Sequence, residues 1–394
     1  MEIRTDVLVI GAGPAGSIAA RTVAEDGVDV LLIDKKSEIG TPKRCAEGIL
    51  KSTLDELNIK PDKRWITREI TGIEIVAPNN KTLTLDKNNF KLPDTGYVLE
   101  RKIFDKSLVM DAVRSGSKVM VKTLAKEIER VNDGFLVRAI NLEKEIEIFT
   151  KIIIAADGPE SKIGRMLGLK SRTSLEDMAS CAQYEMVNVK MDDMDHVKIH
   201  IGTVCPGGYI WIFPKGDDIA NVGLGVLKSH TDKTAKYFLD SFVQSNNDVS
   251  KAQCVEMNVG GDPIGGLVAE RYGDNIMIVG DAAGFVDPLT GDGIRTAMLS
   301  GKYAGMVATN SIKKKDYSKE ILKEYYDLTE EEIGKSFNKF NKIKEFLLTM
   351  DDESLNKIVE EILKTDLSKI NLTALLKIII KASPKSLFKL NKLL

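Results

Sequence analysis

Three glycines and one aspartate near the N-terminus have the types and spacing to hold a phosphate and a ribose. In "TDVLVIGAGPAGSIAARTVAEDGVDVLLIDKK", Gly11, Gly13 and Gly16 form a G-x-G-x-x-G pattern. Asp34 follows about 20 residues on, where a carboxylate accepts from a ribose hydroxyl. The first glycine permits a tight turn, the second lets backbone approach a pyrophosphate, and the third lets a helix pack closely on a strand. That chemistry needs strand, turn, helix and strand in order. Within residues 6–10, the four that follow Asp6 are a continuous apolar run of the kind buried in a parallel sheet, and "VDVLLID" repeats the signal and ends in Asp34. The helix N-terminus then directs N–H groups and positive dipole at the phosphate. The pattern predicts a dinucleotide site without separating a flavin from a nicotinamide nucleotide.

A second chemically suggestive stretch is "PGGYIWIFPKG", residues 206–216, with one of the two tryptophans. Side chains alternate across a strand, so Tyr209, Trp211 and Phe213 share one face. The lone cysteine Cys45, after Arg44 in "KRCAEG", is a third candidate, since a neighbouring cation favours thiolate.

Composition narrows the classes. With 394 residues, 43% hydrophobic and 29% charged, the chain is long enough for two or three domains with a sizeable core. A net charge of -2 and the lack of basic clusters interleaved with aromatics argue against nucleic acid as a partner. Cys45, Cys181, Cys205 and Cys254 are scattered, with no metal-ligand spacing to the three histidines, so no metal is expected. No apolar run approaches the roughly 20 residues that cross a bilayer. The expectation is a reduced cytoplasmic protein, peripheral at the inner face of the cell membrane if it meets a membrane at all.

Later segments carry a resemblance. "GYVLERKIFDKSLV", "KIIIAADGPESKIGRMLG" and "NIMIVGDAAGFVDPLTGDGIRTAMLSG" resemble, in this order, segments of the aromatic-hydroxylase-like FAD fold. "IGTPKRCAEGI" and "PGGYIWIFPKG" resemble the geranylgeranyl reductase family, which has P-x-R-C-G-E-G and P-G-G-Y-x-W-x-F-P-K-G. The resemblance spans about residues 5–310. It implies an α/β protein: a Rossmann-type FAD domain (1–66, 98–170 and 268–310), an inserted mixed or antiparallel sheet domain for substrate (67–97 and 171–267), and a helical C-terminal region (311–394), a candidate for facing a membrane.

The resemblance further implies FAD as cofactor, held by Gly11, Gly13, Ala15, Gly16, Asp34, Arg44, Cys45, Ala46, Gly48, Arg101, Ala125, Asp281, Gly291, Gly293 and Ile294. Arg101 closes over the phosphates, the alternative being an ion pair with Glu100. Cys45, Tyr209 and Trp211 are the implied catalytic residues. Tyr209 and Trp211 would also roof an apolar cavity for substrate, with Gly207 and Gly208 leaving room for a long chain and Phe213 read as core. Lys335 is the candidate for a lipid phosphate. Two positions depart from the family: Ala46 stands for a glycine, and His200 is the nearest candidate for an aromatic upstream of the glycine pair.

The implied function is saturation of geranylgeranyl chains in archaeal ether phospholipids, with an external donor, reduced ferredoxin or NAD(P)H. Hydride delivery to an isolated alkene must be coupled to protonation, with Tyr209, Cys45 or water as the source. A monooxygenase of the same fold and a flavoprotein passing electrons to a membrane quinone remain as alternatives. Finally, residues 367–394 hold six lysines and no acid among apolar residues, which suits either an anionic lipid surface or a helix covering the core with lysine stems.

Overall fold

The computed structural model describes residues 1–86, 94–171, 173–365 and 378. They form two compact units: 1–43, 101–174 and 263–341 in the first, and 44–100, 175–262 and 342–394 in the second.

The first unit is built on an eight-stranded sheet. Its main path runs Tyr272–Gly273, Ile276–Ile278, Lys144–Ala155, Glu2–Ile10, Val30–Ile33, Lys118–Met120, with Gly134–Asn141 and Thr123–Val131 as an antiparallel arm. Glu2–Ile10 pairs in parallel with Lys144–Ala155 on one side and Val30–Ile33 on the other, and all of Val30–Ile33 is buried. The apolar runs therefore occupy the centre of a parallel sheet, where both faces are covered. Helix Pro14–Glu25 packs on helix Ile294–Lys314 with backbones nearly touching. A Cβ added at Gly301 would stand 2.1 Å from the Ala15 carbonyl oxygen, and one at Gly305 would stand 2.9 Å from that of Ala19.

The second unit holds a seven-stranded sheet in the order Gln253–Pro263, Met178–Val187, Ile219–Leu227, Ile210–Pro214, His196–His200, Gly72–Val76, Thr82–Asp86. A smaller sheet joins Gly48–Leu50, Gly96–Leu99 and Ile66–Ile70. Residues 44–66, expected with the FAD domain, group with the second unit. The C-terminal region also divides. Helix Lys319–Thr329 lies in the first unit, whereas Val359 and Ile362 of helix Asp352–Leu363 pack on Ala77 and Leu83 of the second. The lysine-rich stretch 367–394 lies outside the described residues except for Ile378. Among the described residues no helix is long and apolar enough to cross a membrane.

The large sheet has two unlike faces, fixed by register. Ala182, Tyr184, Ile210, Ile212, Val222 and Leu224 point to one side and form a core with Leu239 and Phe242 of helix Ala235–Ser245. His200 pairs with Ile210, so it lies on this face, edge-on to Phe242 at 4.8 Å. This corrects the expectation for His200. Ile199, opposite Trp211, is the residue that shares the aromatic face.

Burial lowers the His200 pKa from 6.5 to about 4, with the Lys198 charge adding to the effect. The unfolded chain takes up a proton below pH 6.5 that the native state refuses until about pH 4, so stability is intact above pH 6.5 and is lost progressively between the two. The loss is on the order of 3 kcal/mol at full extent. His200→Phe should flatten that fall, measured as urea midpoints from pH 7 to 4. Parallel profiles for the variant and the parent would contradict a neutral, buried His200.

Candidate functional site

The first unit supplies a nucleotide cradle. Gly11 has φ +112°, and a Cβ there would stand 2.1 Å from the Ala156 carbonyl oxygen; at Gly16 it would stand 1.9 Å from that of Gly11. At Gly13 a Cβ would meet nothing within 4 Å, so this glycine alone faces a space that a side chain would fill. Gly11 thus serves the turn and Gly16 the close packing of helix on strand, while Gly13 borders open space.

Asp34 is buried and anchored by backbone. Its Oδ2 accepts from Ala12 N–H and its Oδ1 from Lys36 N–H, both at 2.8 Å. A carboxylate offers about four acceptor sites, so capacity remains for a ribose hydroxyl. Arg101 opens helix Arg101–Arg114 and pairs with Asp105 one turn on, at 2.8 and 3.0 Å, while Glu100 belongs to a different network. Asp281 lies in the turn Gly280–Ala283; burial raises its pKa and the Arg101 charge opposes the rise. Ser300 Oγ accepts from Gly280 N–H at 3.0 Å and donates to Ala297 O at 2.7 Å, tying this turn to the long helix. Gly291 has φ +68°, and Gly293 caps that helix just before Ile294. Ala15 abuts Gly280, whose added Cβ would stand 3.0 Å from the Ala15 Cβ. Ala125 is buried opposite Ala139, where the strand register shifts. Asp157, before Gly158, caps helix Lys162–Met166 by accepting from Lys162 and Ile163 N–H. These residues fit a dinucleotide: a left-handed turn, an open glycine, two helix N-termini and two anchored carboxylates.

The second unit brings the "KRCAEG" turn and the aromatic strand together. Trp211 and Tyr209 meet edge to face with ring centroids 6.0 Å apart, and the indole lies flat over Gly223, where a Cβ would stand 2.5 Å from Cζ2. Trp211 Nε1 donates to Gln183 Oε1 at 2.8 Å, and Gln183 Nε2 donates to the Cys45 carbonyl at 2.9 Å. Asn221 Nδ2 donates to Ala46 O at 3.1 Å and to Glu47 Oε2 at 2.7 Å. Glu47, fully buried with φ +75°, gives its N–H to Cys45 Sγ at 3.1 Å. Lys215, from "FPKG", closes the network: its Nζ lies 2.8 Å from Glu47, 2.9 Å from Glu100 and 3.1 Å from Glu185. Burial alone would lower the Lys215 pKa; the Glu47 charge and the bonds to Glu47 and Glu100 outweigh it, and the ammonium is held well above the ordinary lysine range.

The other residues singled out in the sequence take varied places, Phe213 the core position expected of it. Phe213 packs with Ile70, Val98 and Val197, a core residue, and a Cβ at Gly48 would stand 2.8 Å from its ring. Gly207 and Gly208 do not make room for a passing chain. A Cβ at Gly208 would stand 1.9 Å from the Gly225 carbonyl oxygen, and Gly207 has φ +79°, so the pair serves a turn laid against backbone. Arg44 runs along Gly260, whose added Cβ would stand 3.2 Å from its Cδ. Lys335 lies in the first unit, exposed, where the π-helical segment Glu330–Gly334 passes into helix Lys335–Leu347. Burial raises the thiol pKa of Cys181 and pushes that of Cys205 to about 12. Among the described residues no cluster suits a metal ion.

Gln183, Asn221, Glu47, Lys215, Glu185 and Asp105 escaped the sequence reading. A signal existed: Gln183 and Glu185 alternate as polar residues inside the apolar strand "SCAQYEMV", and Asn221 does the same in "IANVGLG".

Comparison with known proteins places these features. Residues 6–68 match an FAD binding domain and residues 177–261 a geranylgeranyl reductase catalytic domain. The chain is 55% identical over 391 residues to digeranylgeranylglycerophospholipid reductase 2 of Methanosphaera stadtmanae, covering 99% of this chain and 100% of that one. It is 50% identical over 393 residues to digeranylgeranylglycerophospholipid reductase 1 of Methanothermobacter thermautotrophicus, covering 100% and 99%. A geranylgeranyl bacteriochlorophyll reductase-like protein of Thermoplasma acidophilum, solved by crystallography, superposes with TM-score 0.92 at 36% identity over the whole of both chains. A myxobacterial FAD-dependent halogenase, at TM-score 0.73 and 17% identity, shares the fold. Fold and cradle are those of a flavoprotein whose cofactor is FAD. The chain belongs to the geranylgeranyl reductase family.

Removing Lys215 would leave Glu47 buried beside two further carboxylates. Lys215→Met should therefore cost about 3–5 kcal/mol in urea unfolding, and adding Glu47→Gln should recover part of the loss. A single variant as stable as the parent would show that the cluster carries no such charge.

Proposed function

We propose that this protein is an FAD-dependent reductase that saturates the C=C bonds of geranylgeranyl chains in ether phospholipids, as the names of its relatives imply for them. The observation that carries this reading is the joining of the two family segments, "KRCAEG" and "PGGYIWIFPKG", into one network through Gln183, Asn221 and Lys215. A turn and an aromatic strand with separate duties would not need that bonding.

Bound and reduced, FAD supplies a hydride. The chain supplies the rest. Backbone at Gly11, Gly13, Ala15 and Gly16 and the helix N-terminus at Gly291, Gly293 and Ile294 hold the pyrophosphate, with Arg101, steadied by Asp105, as counter-charge. Asp34 and Asp281 take hydroxyls, and Ala125 lies along the nucleotide. Arg44, Cys45, Ala46 and Gly48 are the residues that would hold the flavin ring. Tyr209 and Trp211 give an apolar wall that packs on isoprenoid methyl groups and excludes water from the alkene. Each double bond takes one hydride and one proton, and the Tyr209 hydroxyl, the Cys45 thiol or water is the source of that proton. Lys335 takes the lipid phosphate, the protein works at the membrane surface, and a ferredoxin or NAD(P)H returns the electrons.

Asp34→Ala and Arg101→Ala each remove a charge-assisted contact worth roughly 1.5–3 kcal/mol, so the purified variants should be largely flavin-free. Full flavin absorbance in both would refute the assigned cradle. For the reaction, digeranylgeranyl lipid incubated anaerobically with reduced protein should gain two hydrogens per double bond by mass spectrometry. Unchanged lipid would point to an electron carrier, and oxygen incorporation in air to a monooxygenase.

A further inference from the structure

The Cys45–Glu47 turn is gripped by two side-chain amides that rise from neighbouring strands. Gln183 pairs with Gly223 and Glu185 with Asn221, so Gln183 and Asn221 stand one ladder step apart on the aromatic face. Gln183 holds the Cys45 carbonyl and Asn221 the Ala46 carbonyl. Consecutive carbonyls of an extended chain point to opposite sides; here both are drawn to one sheet face. In a trans peptide the N–H points opposite to the C=O, and neither of these peptides is cis. The N–H groups of Ala46 and Glu47 are therefore turned off the sheet. That of Glu47 goes to Cys45 Sγ, and that of Ala46 is directed outward.

Gln183 is also fixed at its other end. Its amide oxygen accepts from Trp211 Nε1 at 2.8 Å, so rotating the amide would lose both bonds at once. Neither a carboxylate nor an apolar side chain of the same length meets both demands.

We propose that Gln183 and Asn221 are positioning residues for the flavin: they aim the Ala46 N–H as a donor to an acceptor atom of the ring, and Gln183 sets the Trp211 indole in the same act. This rests on the reading that the Cys45–Gly48 turn meets the ring. A donor aimed where negative charge accumulates on reduction favours the reduced form, so losing its aim should make the bound flavin harder to reduce.

The test uses the FAD-loaded protein. Gln183→Glu keeps the acceptor for Trp211 and loses the donor to Cys45; Gln183→Met loses both. Both should bind FAD at the parent stoichiometry. Their midpoint potential should fall by about 30 mV, a tenfold loss of preference for the reduced form in a two-electron couple. The turnover number should fall about tenfold with KM within about twofold, the pattern of an interaction made in the transition state. If Gln183→Met does not accumulate, the uncharged Gln183→Leu takes its place, since the new charge in Gln183→Glu would itself lower the potential. Ala46→Asp tests the underlying reading, since a carboxylate at the ring should lower the potential and move the flavin absorbance maxima. Unchanged values for Ala46→Asp would mean that the turn does not meet the flavin. A response to Ala46→Asp with parental potentials in the Gln183 variants would leave that reading intact and overturn the positioning role.

Discussion

One ammonium among three carboxylates holds the substrate-side architecture together. Lys215 leaves the end of the aromatic strand and meets Glu47 of the cysteine turn, Glu100 at the end of strand Gly96–Leu99, and Glu185 of strand Met178–Val187. Four segments distant in sequence thus converge on one atom. A buried charge is tolerated only when paired and hydrogen-bonded, and the demand runs both ways. The carboxylates need the lysine as much as it needs them, and Asn221 supplies the remaining bond to Glu47. The lysine itself is fixed by backbone, because Lys215 N–H donates to Ile219 O at 2.7 Å across the hairpin. The left-handed backbone at Glu47 persists because its carboxylate has nowhere else to go.

The two faces of the large sheet divide the chemistry. On one side aliphatic residues and His200 pack against a helix, and burial keeps the imidazole neutral. On the other, polar residues stand at alternate positions among glycines, and the amide N–H groups of Gln183 and Asn221 are aimed at the carbonyls of Cys45 and Ala46. Gly223 is part of that design, since only a residue without Cβ lets the Trp211 indole lie flat on its neighbour strand.

What could be read from sequence differs between the units for a physical reason. The nucleotide cradle is local: Gly11, Gly13 and Gly16 act within one turn, and Asp34 ends the next strand. The Arg101–Asp105 pair is equally local, at helical spacing four. The network around Cys45 depends on strand register. Gln183 reaches Cys45 across 138 positions and Asn221 reaches Ala46 across 175. Nothing short-range reports such pairings beyond polar residues out of place in apolar strands. His200 was misjudged by the same cause, since a parity of one decides its face. Gly207 and Gly208 show another limit: absence of a side chain reads equally as space for a ligand and as contact with backbone.

The boundary of the second unit bears on recombination between relatives. Exchanging the large sheet between relatives depends on where the graft is cut. A graft cut at 66/67 would leave the cysteine turn with the recipient and bring Lys215, Asn221 and Gln183 from the donor. Crossovers at 43/44 and 100/101 keep Glu47 and Glu100 with the lysine they serve. In this fold the heritable module of specificity therefore begins one residue before the cysteine.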